Sequence, residues 1–475
     1  MPAKKKEPAK KPDTKKLAKE LLNDKTHGAK KVGTAELKKA FKFAEGYKDF
    51  LDVAKTERES VDYAVQAAEA AGFVAFDPAR KYKAGDKVYY NNRGKAMCLA
   101  VIGKKGCKEG VRIAASHIDN PRIDLKPIPL YEASELTLMK THYYGGIKHY
   151  QWTAIPLAMH GKIVRKDGVE ITVRIGEEPG EPQFTITDIL PHLGKDQMQK
   201  TLGAAISGED LNILVGSLPY DDGDPDSNAF KLNVMNILHE QYGIVESDLI
   251  SAEISFVPAF KAVDIGFDRS MVGAYGHDDR VCSYPALQAI LDVKTPEHTV
   301  VTCLADKEEI GSVGNTGLAS EYLDYFVADL AEAEGLKPRH VWSRSSCLSA
   351  DVTAAYDPNY AYAYEAGNST YLNRGVGLAK YTGARGKSGS NDASAEFVGW
   401  VRRTLDDADV LWQIGELGKV DQGGGGTVAL YVSKLNADVI DIGVPVLSMH
   451  APFEVVSKLD IYSTYKAIKA YFEAK

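Results

Sequence analysis

The sequence predicts an α/β fold in which one α/β domain is interrupted by a β-rich insertion. Three observations predict it: a helical pattern near the start of the chain, strict alternation through its middle, and strands alternating with helical patterns after Asp264. At 475 residues, 44% hydrophobic and 26% charged, the chain is long enough for two or three domains with cores of their own.

The elements follow in order. The first sixteen residues hold seven lysines and two acids, a balance of +5 that leaves −12 on the rest of the chain. Residues 1–30 therefore read as a lysine-rich flexible tail. No apolar run follows those lysines and none approaches eighteen residues, so a soluble cytoplasmic protein is expected, with no membrane span. The acidic body argues against a nucleic-acid partner, despite the tyrosines of "YAYAYEAGNSTYLNR". Residues 31–124 open the α/β domain. From Thr34 to Gly72 the pattern is helical, with Thr56 and Glu59 spaced as a capping box ahead of Val61, Ala64, Val65 and Ala68. "VYYNNRGKAMCLAVIG" and "GVRIAAS" read as two strands of one sheet, the second buried on both faces. Residues 125–264 alternate like a β-rich insertion, clearest in "KIVRKDGVEITVRI", where Asp167-Gly168 marks a tight turn. Residues 265–475 complete the first domain. "HTVVTCLA" is a strand, "SEYLDYFVADLAEAEG" a helix with Ser320 as its expected N-cap, and "DIYSTYKAIKAYF" a closing helix with Ile461, Tyr465, Ile468 and Phe472 on one face. Five cysteines without C-x-x-C spacing read as reduced core thiols. "DQGGGGTV" lacks the Gly-Lys-Ser/Thr of a phosphate loop and reads as close backbone approach near an active site.

Chemistry-bearing residues gather just after the strand-like runs. "VRIAAS" leads to His117 and Asp119, "VVTCLA" to Glu308 and Glu309, "SRSSCLSA" to Asp351 and "VPVLSM" to His450, while Asp278 and Asp279 precede a helical pattern. Ligands of open α/β sheets bind at the carboxyl ends of strands, so these loops are expected to converge on one crevice. Carboxylates about 4 Å apart repel by roughly 4 kcal/mol per pair at an effective dielectric near 20, and divalent cations remove that conflict. Two histidines with several carboxylates suit zinc, cobalt or manganese better than calcium. A pair of such ions needs one further carboxylate, not a ligand, to take the proton of the attacking water, which gives two adjacent glutamates different roles.

Six ordered motifs, "ASHIDNP", "YYGGI", "GHDDRVCSYPAL", "DKEEIGS", "SADVTAAYDPNY" and "DIGVPVLSMHAPFE", make the chain resemble the aspartyl aminopeptidase and aminopeptidase I family of dinuclear zinc metallopeptidases from about residue 34 to 475. The resemblance implies a metallopeptidase α/β domain, its mixed sheet flanked by helices, split by a β-rich dimerisation domain. It also implies dimers assembling into a tetrahedral dodecamer. The implied activity is release of single N-terminal residues from peptides by a water activated between two divalent ions per chain, zinc ahead of cobalt or manganese.

Carried over by position, His117, Asp278 and Asp351 hold one ion, and Asp278, Glu309 and His450 the other, with Asp278 as the bridge. Glu308 is the general base, and Asp119 orients the imidazole of His117. A cis peptide is implied at Asp278-Asp279. His192, in "ILPHLG", matches a histidine that reaches a neighbouring subunit's site, and Lys380, in "GLAKYTG", a lysine that binds an acidic substrate side chain. Family members commonly read His where this chain has Ala355 and Asp357, and Asp-Arg where it has Thr153-Ala154. These departures point to the aminopeptidase I branch, with neutral or broad preference. Alternatives from other classes are a deblocking peptidase or amidohydrolase on the same metal site, and a non-catalytic assembly of the same fold.

Overall fold

The structure is a computed structural model that describes residues 13–24, 26–221 and 228–475. Residues 1–12 and 25 of the lysine-rich tail lie outside the described residues; among the rest, Thr14–Leu21 is a helix with no buried residue, capped by the Asp13 carboxylate. No helix among the described residues is long and apolar enough to cross a membrane.

Among the described residues three sheets organise the fold. The nine-stranded sheet runs in the order Val74–Ala75, Lys87–Asn92, Ala96–Val101, Thr299–Ala305, Val111–His117, Ser346–Ala350, Asp438–Gly443, Val376–Ala379 and Trp412–Ile414. Its alternate residues feed two cores: Leu99, Val101 and Ala114 belong to one, Cys98, Ala100, Ile113 and Ala115 to the other. Helices Thr34–Val53, Glu57–Ala70, His277–Asp292 and Lys458–Glu473 cover the first face, and Tyr322–Ala333 with Pro338–Trp342 the second. The seven-stranded sheet draws all its strands from between Arg122 and Pro258 and packs its own core around Trp152 and Phe256.

Local sequence explains most elements. Thr56 caps its helix by accepting from Glu59 N, and the Glu59 carboxylate returns to Thr56 N, the capping box its spacing predicts. The five cysteines are free and buried. Ser457 caps the closing helix, on which Ile461, Ile468 and Phe472 are buried. Two expectations differ. The stretch from Val88 to Gly103 is a hairpin of two strands, because Arg93 and Gly94 both take positive φ (61° and 65°) and Gly94 N donates to Asn91 Oδ1 at 2.7 Å. Ser320 does not cap the following helix: its hydroxyl donates to Gly317 O at 2.9 Å, and the helix starts at Tyr322 with no side-chain cap.

One buried polar cluster joins the seven-stranded sheet to the helices beside it. His160 is fully buried, with Nδ1 at 2.8 Å from Glu59 Oε1 and Nε2 at 2.9 Å from Glu177 Oε1, while Lys55 Nζ lies 2.9 Å from the same Glu177 oxygen. Burial opposes charge on the ring, but hydrogen bonds to Glu177 and Glu59 outweigh it and raise the His160 pKa above its ordinary value. A raised folded-state pKa contributes stability that is full below about pH 6.5 and is lost as pH rises through the folded value. Thermal melts of wild type and His160→Gln from pH 6 to 9 are therefore expected to differ most at pH 6, by about 3 kcal/mol, and progressively less above it. A gap independent of pH would show that the ring is not charged in the folded protein.

Candidate metal centre

Parallel pairing brings the candidate loops together. Val111–His117 pairs in parallel with Thr299–Ala305 on one side and Ser346–Ala350 on the other, and Ser346–Ala350 pairs in parallel with Asp438–Gly443. All four carboxyl ends thus share one edge of the sheet, where His117 ends its strand opposite Ala305. Asp351 follows its own strand and donates its amide to Ile442 O at 2.9 Å. The chain runs so close there that a Cβ on Gly443 would lie 1.7 Å from Asp351 O, which only glycine avoids.

The adjacent glutamates are held by one buried carboxylate. Asp119 accepts from Glu308 N at 3.1 Å on Oδ1, and on Oδ2 from Glu309 N at 3.2 Å and the Tyr144 hydroxyl at 2.8 Å. Its backbone carbonyl lies 3.0 Å and its Oδ1 3.3 Å from His117 Nδ1, so Asp119 faces the imidazole with main chain and side chain together. The carbonyl requires a proton on Nδ1, which leaves the lone pair of the neutral ring on Nε2. His450 is set the same way, Nδ1 at 2.7 Å from Gly146 O.

Asp278 stands between the two imidazoles. Its Oδ1 is 3.2 Å from His117 Nε2, and its Oδ2 is 3.1 Å from His450 Nε2. Glu309 Oε1 lies 3.5 Å from His450 Nε2, Asp351 Oδ1 3.8 Å from His117 Nε2, and Glu308 Oε2 3.9 Å from the same nitrogen. The peptide between Asp278 and Asp279 is cis, as the resemblance implied. Three overlapping trios offer ligand atoms within 4.8 Å of one another: His117, Glu308 and Asp351; His117, Asp278 and Glu309; and Asp278, Asp279 and Asp351.

The electrostatics of this cluster call for positive charge. Burial, then neighbouring acids, push Glu309 far above the ordinary carboxylate range and raise Asp351, and Glu308 is pushed up to about 8 by the same causes. Burial opposes charge on His450, but Asp278 and Glu309 raise it to about 11. His117 Nε2 and Glu309 Oε1 are buried without a hydrogen-bond partner. Unpaired buried nitrogen and oxygen atoms converging with several carboxylates fit divalent metal ions, and the mix of imidazole and carboxylate suits zinc.

Two supporting residues, Glu454 and Asn120, escaped the sequence reading, which named a third, Asp279, without giving it a role. Glu454 accepts from His450 N at 2.7 Å and from Asp278 N at 3.2 Å, tying the loops of two candidate ligands together. Asn120 donates its side-chain amide to Asp278 O, and Asp279, fully buried, accepts from His117 N at 3.3 Å. All three stand inside the quoted motifs, but nothing in spacing alone distinguishes a ligand from the residue that orients it. The cluster opens into a cavity of about 420 Å³ whose further walls include Val352, Leu378, Leu417, Ile442, Met449 and the glycine-rich stretch Gly424 to Thr427. Lys380 is exposed and does not line this cavity, and His192 is exposed in the loop between Thr185–Ile186 and Lys195–Met198.

Comparison with known proteins agrees with this geometry. A family model described as aminopeptidase I zinc metalloprotease (M18) matches residues 50–472. A probable M18 family aminopeptidase 1 of Clostridium acetobutylicum is 47% identical over 460 residues, spanning 95% of this chain and 99% of its own. The crystal structure of an M18-family aminopeptidase from Thermotoga maritima superimposes with a TM-score of 0.90 at 41% identity, covering 96% of this chain and all of that one. The fold is also that of an S. cerevisiae mApe1 dodecamer, with a TM-score of 0.74 at 21% identity over 91% of this chain and 96% of that one.

Proposed function

The chain belongs to the aminopeptidase I zinc metalloprotease (M18) family and is an aminopeptidase, and from that premise we propose that it holds two divalent ions and releases single N-terminal residues from peptides. The observation that carries this reading is the Asp278 carboxylate between the two Nε2 atoms, one oxygen toward each at 3.2 and 3.1 Å. In it His117, Asp278 and Asp351 hold one ion, and Asp278, Glu309 and His450 the other, zinc ahead of cobalt or manganese. Bound there, the ions supply the Lewis acidity that makes water a nucleophile at neutral pH and polarises the scissile carbonyl.

The protein's own groups do the rest. Glu308 accepts the proton of the attacking water on its carboxylate and delivers it to the nitrogen of the leaving amine. It is suited to that transfer because its Oε2 stands 3.9 Å from His117 Nε2 while its backbone is fixed on Asp119. Asp119 keeps both glutamates and His117 in register, so it acts by positioning.

The reading extends to assembly. Residues 125–264 are the dimerisation region, with dimers forming a tetrahedral dodecamer in which His192 of one copy reaches the site of another. Leu190, Leu193, Met198 and Leu202 are 49%, 68%, 69% and 64% exposed around His192, an apolar surface that a second copy would cover.

A free α-amine is the discriminating requirement. Aminoacyl chromogenic substrates are expected to be hydrolysed and their N-acetyl counterparts to lose at least ~100-fold in kcat/KM, because acetylation removes the charge of the α-amine and adds bulk beside the scissile bond. Equal turnover of acetylated substrates would replace this reading with a deblocking peptidase.

A further inference from the structure

One short segment of the seven-stranded sheet touches the metal centre. The strand Leu136–Tyr144 ends with Tyr144 opposite Arg122, whose guanidinium lies 4.0 Å from the centre of the tyrosine ring. From there the Tyr144 hydroxyl donates to Asp119 Oδ2 at 2.8 Å, the oxygen that also accepts from Glu309 N at 3.2 Å. Gly145 takes a φ of 75°, and a Cβ on it would lie 3.2 Å from Glu309 Oε2 and 3.3 Å from Glu309 Cβ, so a side chain at 145 would crowd Glu309. Gly146 completes the segment, its carbonyl 2.7 Å from His450 Nδ1.

These three contacts fall unevenly on the proposed ligands. The groups that hold one ion alone are set by the nine-stranded sheet and the loops that follow it. His117 ends its strand with its backbone N–H on Asp279 Oδ2 at 3.3 Å, and Asp351 donates its amide to Ile442 O at 2.9 Å. The groups that hold the other ion alone, Glu309 and His450, are both touched from the seven-stranded sheet. Asp119 divides its oxygens the same way: Oδ1 faces Glu308 N at 3.1 Å and His117 Nδ1 at 3.3 Å, while Oδ2 serves Glu309 N and Tyr144. Gly146 O requires the proton of a neutral His450 ring on Nδ1, which leaves Nε2 to face Asp278 Oδ2 at 3.1 Å. A ligand held in orientation by a neighbour binds an ion more tightly than one left to turn.

We propose that the seven-stranded sheet controls the affinity for one ion of the pair, the one held by Asp278, Glu309 and His450, and that Tyr144 is the positioning residue through which it acts. The proposal rests on the two-ion reading above and deepens it by making the two ions unequal: one answers to a single sheet, the other to two.

The test uses the full-length protein, stripped of metal and titrated with zinc against a chromophoric chelator, as wild type and as Tyr144→Phe. Phenylalanine keeps a ring beneath Arg122 and removes only the hydroxyl. The variant is expected to bind one zinc on the order of 10- to 100-fold less tightly and the other within about 3-fold of wild type, the cost of losing a group that orients a ligand. Its turnover at limiting zinc should fall and be restored by added zinc, which a general loss of structure would not allow. Amide hydrogen exchange of wild type during the same titration gives an independent reading, so the proposal can be judged even where the variant does not fold. Residues 143–147 should gain protection together with 448–452 and at a different zinc equivalent from 350–352. Equal weakening of both zinc ions in Tyr144→Phe, or weakening of neither, overturns the proposal, as does protection that rises together in all three segments. A wild type that binds fewer than two zinc ions would instead overturn the two-ion reading and this proposal with it.

Discussion

Glu308→Gln is expected to lower kcat by ~10²- to 10⁴-fold, the usual contribution of a positioned general base, while the protein still folds and retains its metal. The amide matches the carboxylate in shape and still accepts hydrogen bonds, but it cannot take up a proton. Its backbone anchor is untouched, because Glu308 N donates to Asp119 Oδ1 at 3.1 Å whatever the side chain carries. Glu309→Gln is the informative contrast. Glu309 Oε1 lies 3.5 Å from His450 Nε2 and is buried without a hydrogen-bond partner, so its loss should appear as lost metal affinity. Metal analysis of the two purified variants beside steady-state rates separates the roles. A Glu308→Gln enzyme with wild-type turnover would remove Glu308 from the chemistry, and one that has lost its metal would make Glu308 a ligand, which its place in one of the candidate trios leaves open to test.

Much of the site was legible because its residues follow strands. A buried β-branched run that ends in acids breaks the expectation that such runs lead to solvated turns, and "VVTCLADKEE" shows that break within one loop. The parallel order of the strands then brings together residues more than 200 positions apart, His117 and Asp351 among them. What was not legible belongs to backbone geometry. That Asp119 reaches His117 through its carbonyl as well as its carboxylate, that Glu454 joins the loops of two candidate ligands, and that Arg93-Gly94 folds a single apparent strand into a hairpin all depend on local dihedrals and on contacts between distant segments. Ser320 illustrates the reverse error. A residue type favoured at helix starts satisfied a turn carbonyl instead, because Gly317 O lay within reach.

Stripping the metal is expected to abolish activity and to lower the melting temperature by several degrees, with both restored by zinc, cobalt or manganese. The stability effect has two sources. Ions that bind only the folded state at about 1,000 times their Kd add about 4 kcal/mol per site. Removing them also returns the carboxylates to mutual repulsion, roughly 4 kcal/mol for each close pair at an effective dielectric near 20. The stripped protein relieves part of this with protons, as the raised pKa values of Glu308, Glu309 and Asp351 require. The sign of the pH dependence follows. In the stripped protein these acids keep their protons to higher pH when folded than when unfolded, so its stability falls as pH rises from about 4.3 through the folded value of about 8 for Glu308. In the loaded protein the ligands are already deprotonated. The difference in melting temperature between loaded and stripped enzyme should therefore widen from pH 5 to pH 8. A gap that narrows over that range would mean that the clustered carboxylates are not where the metal binds.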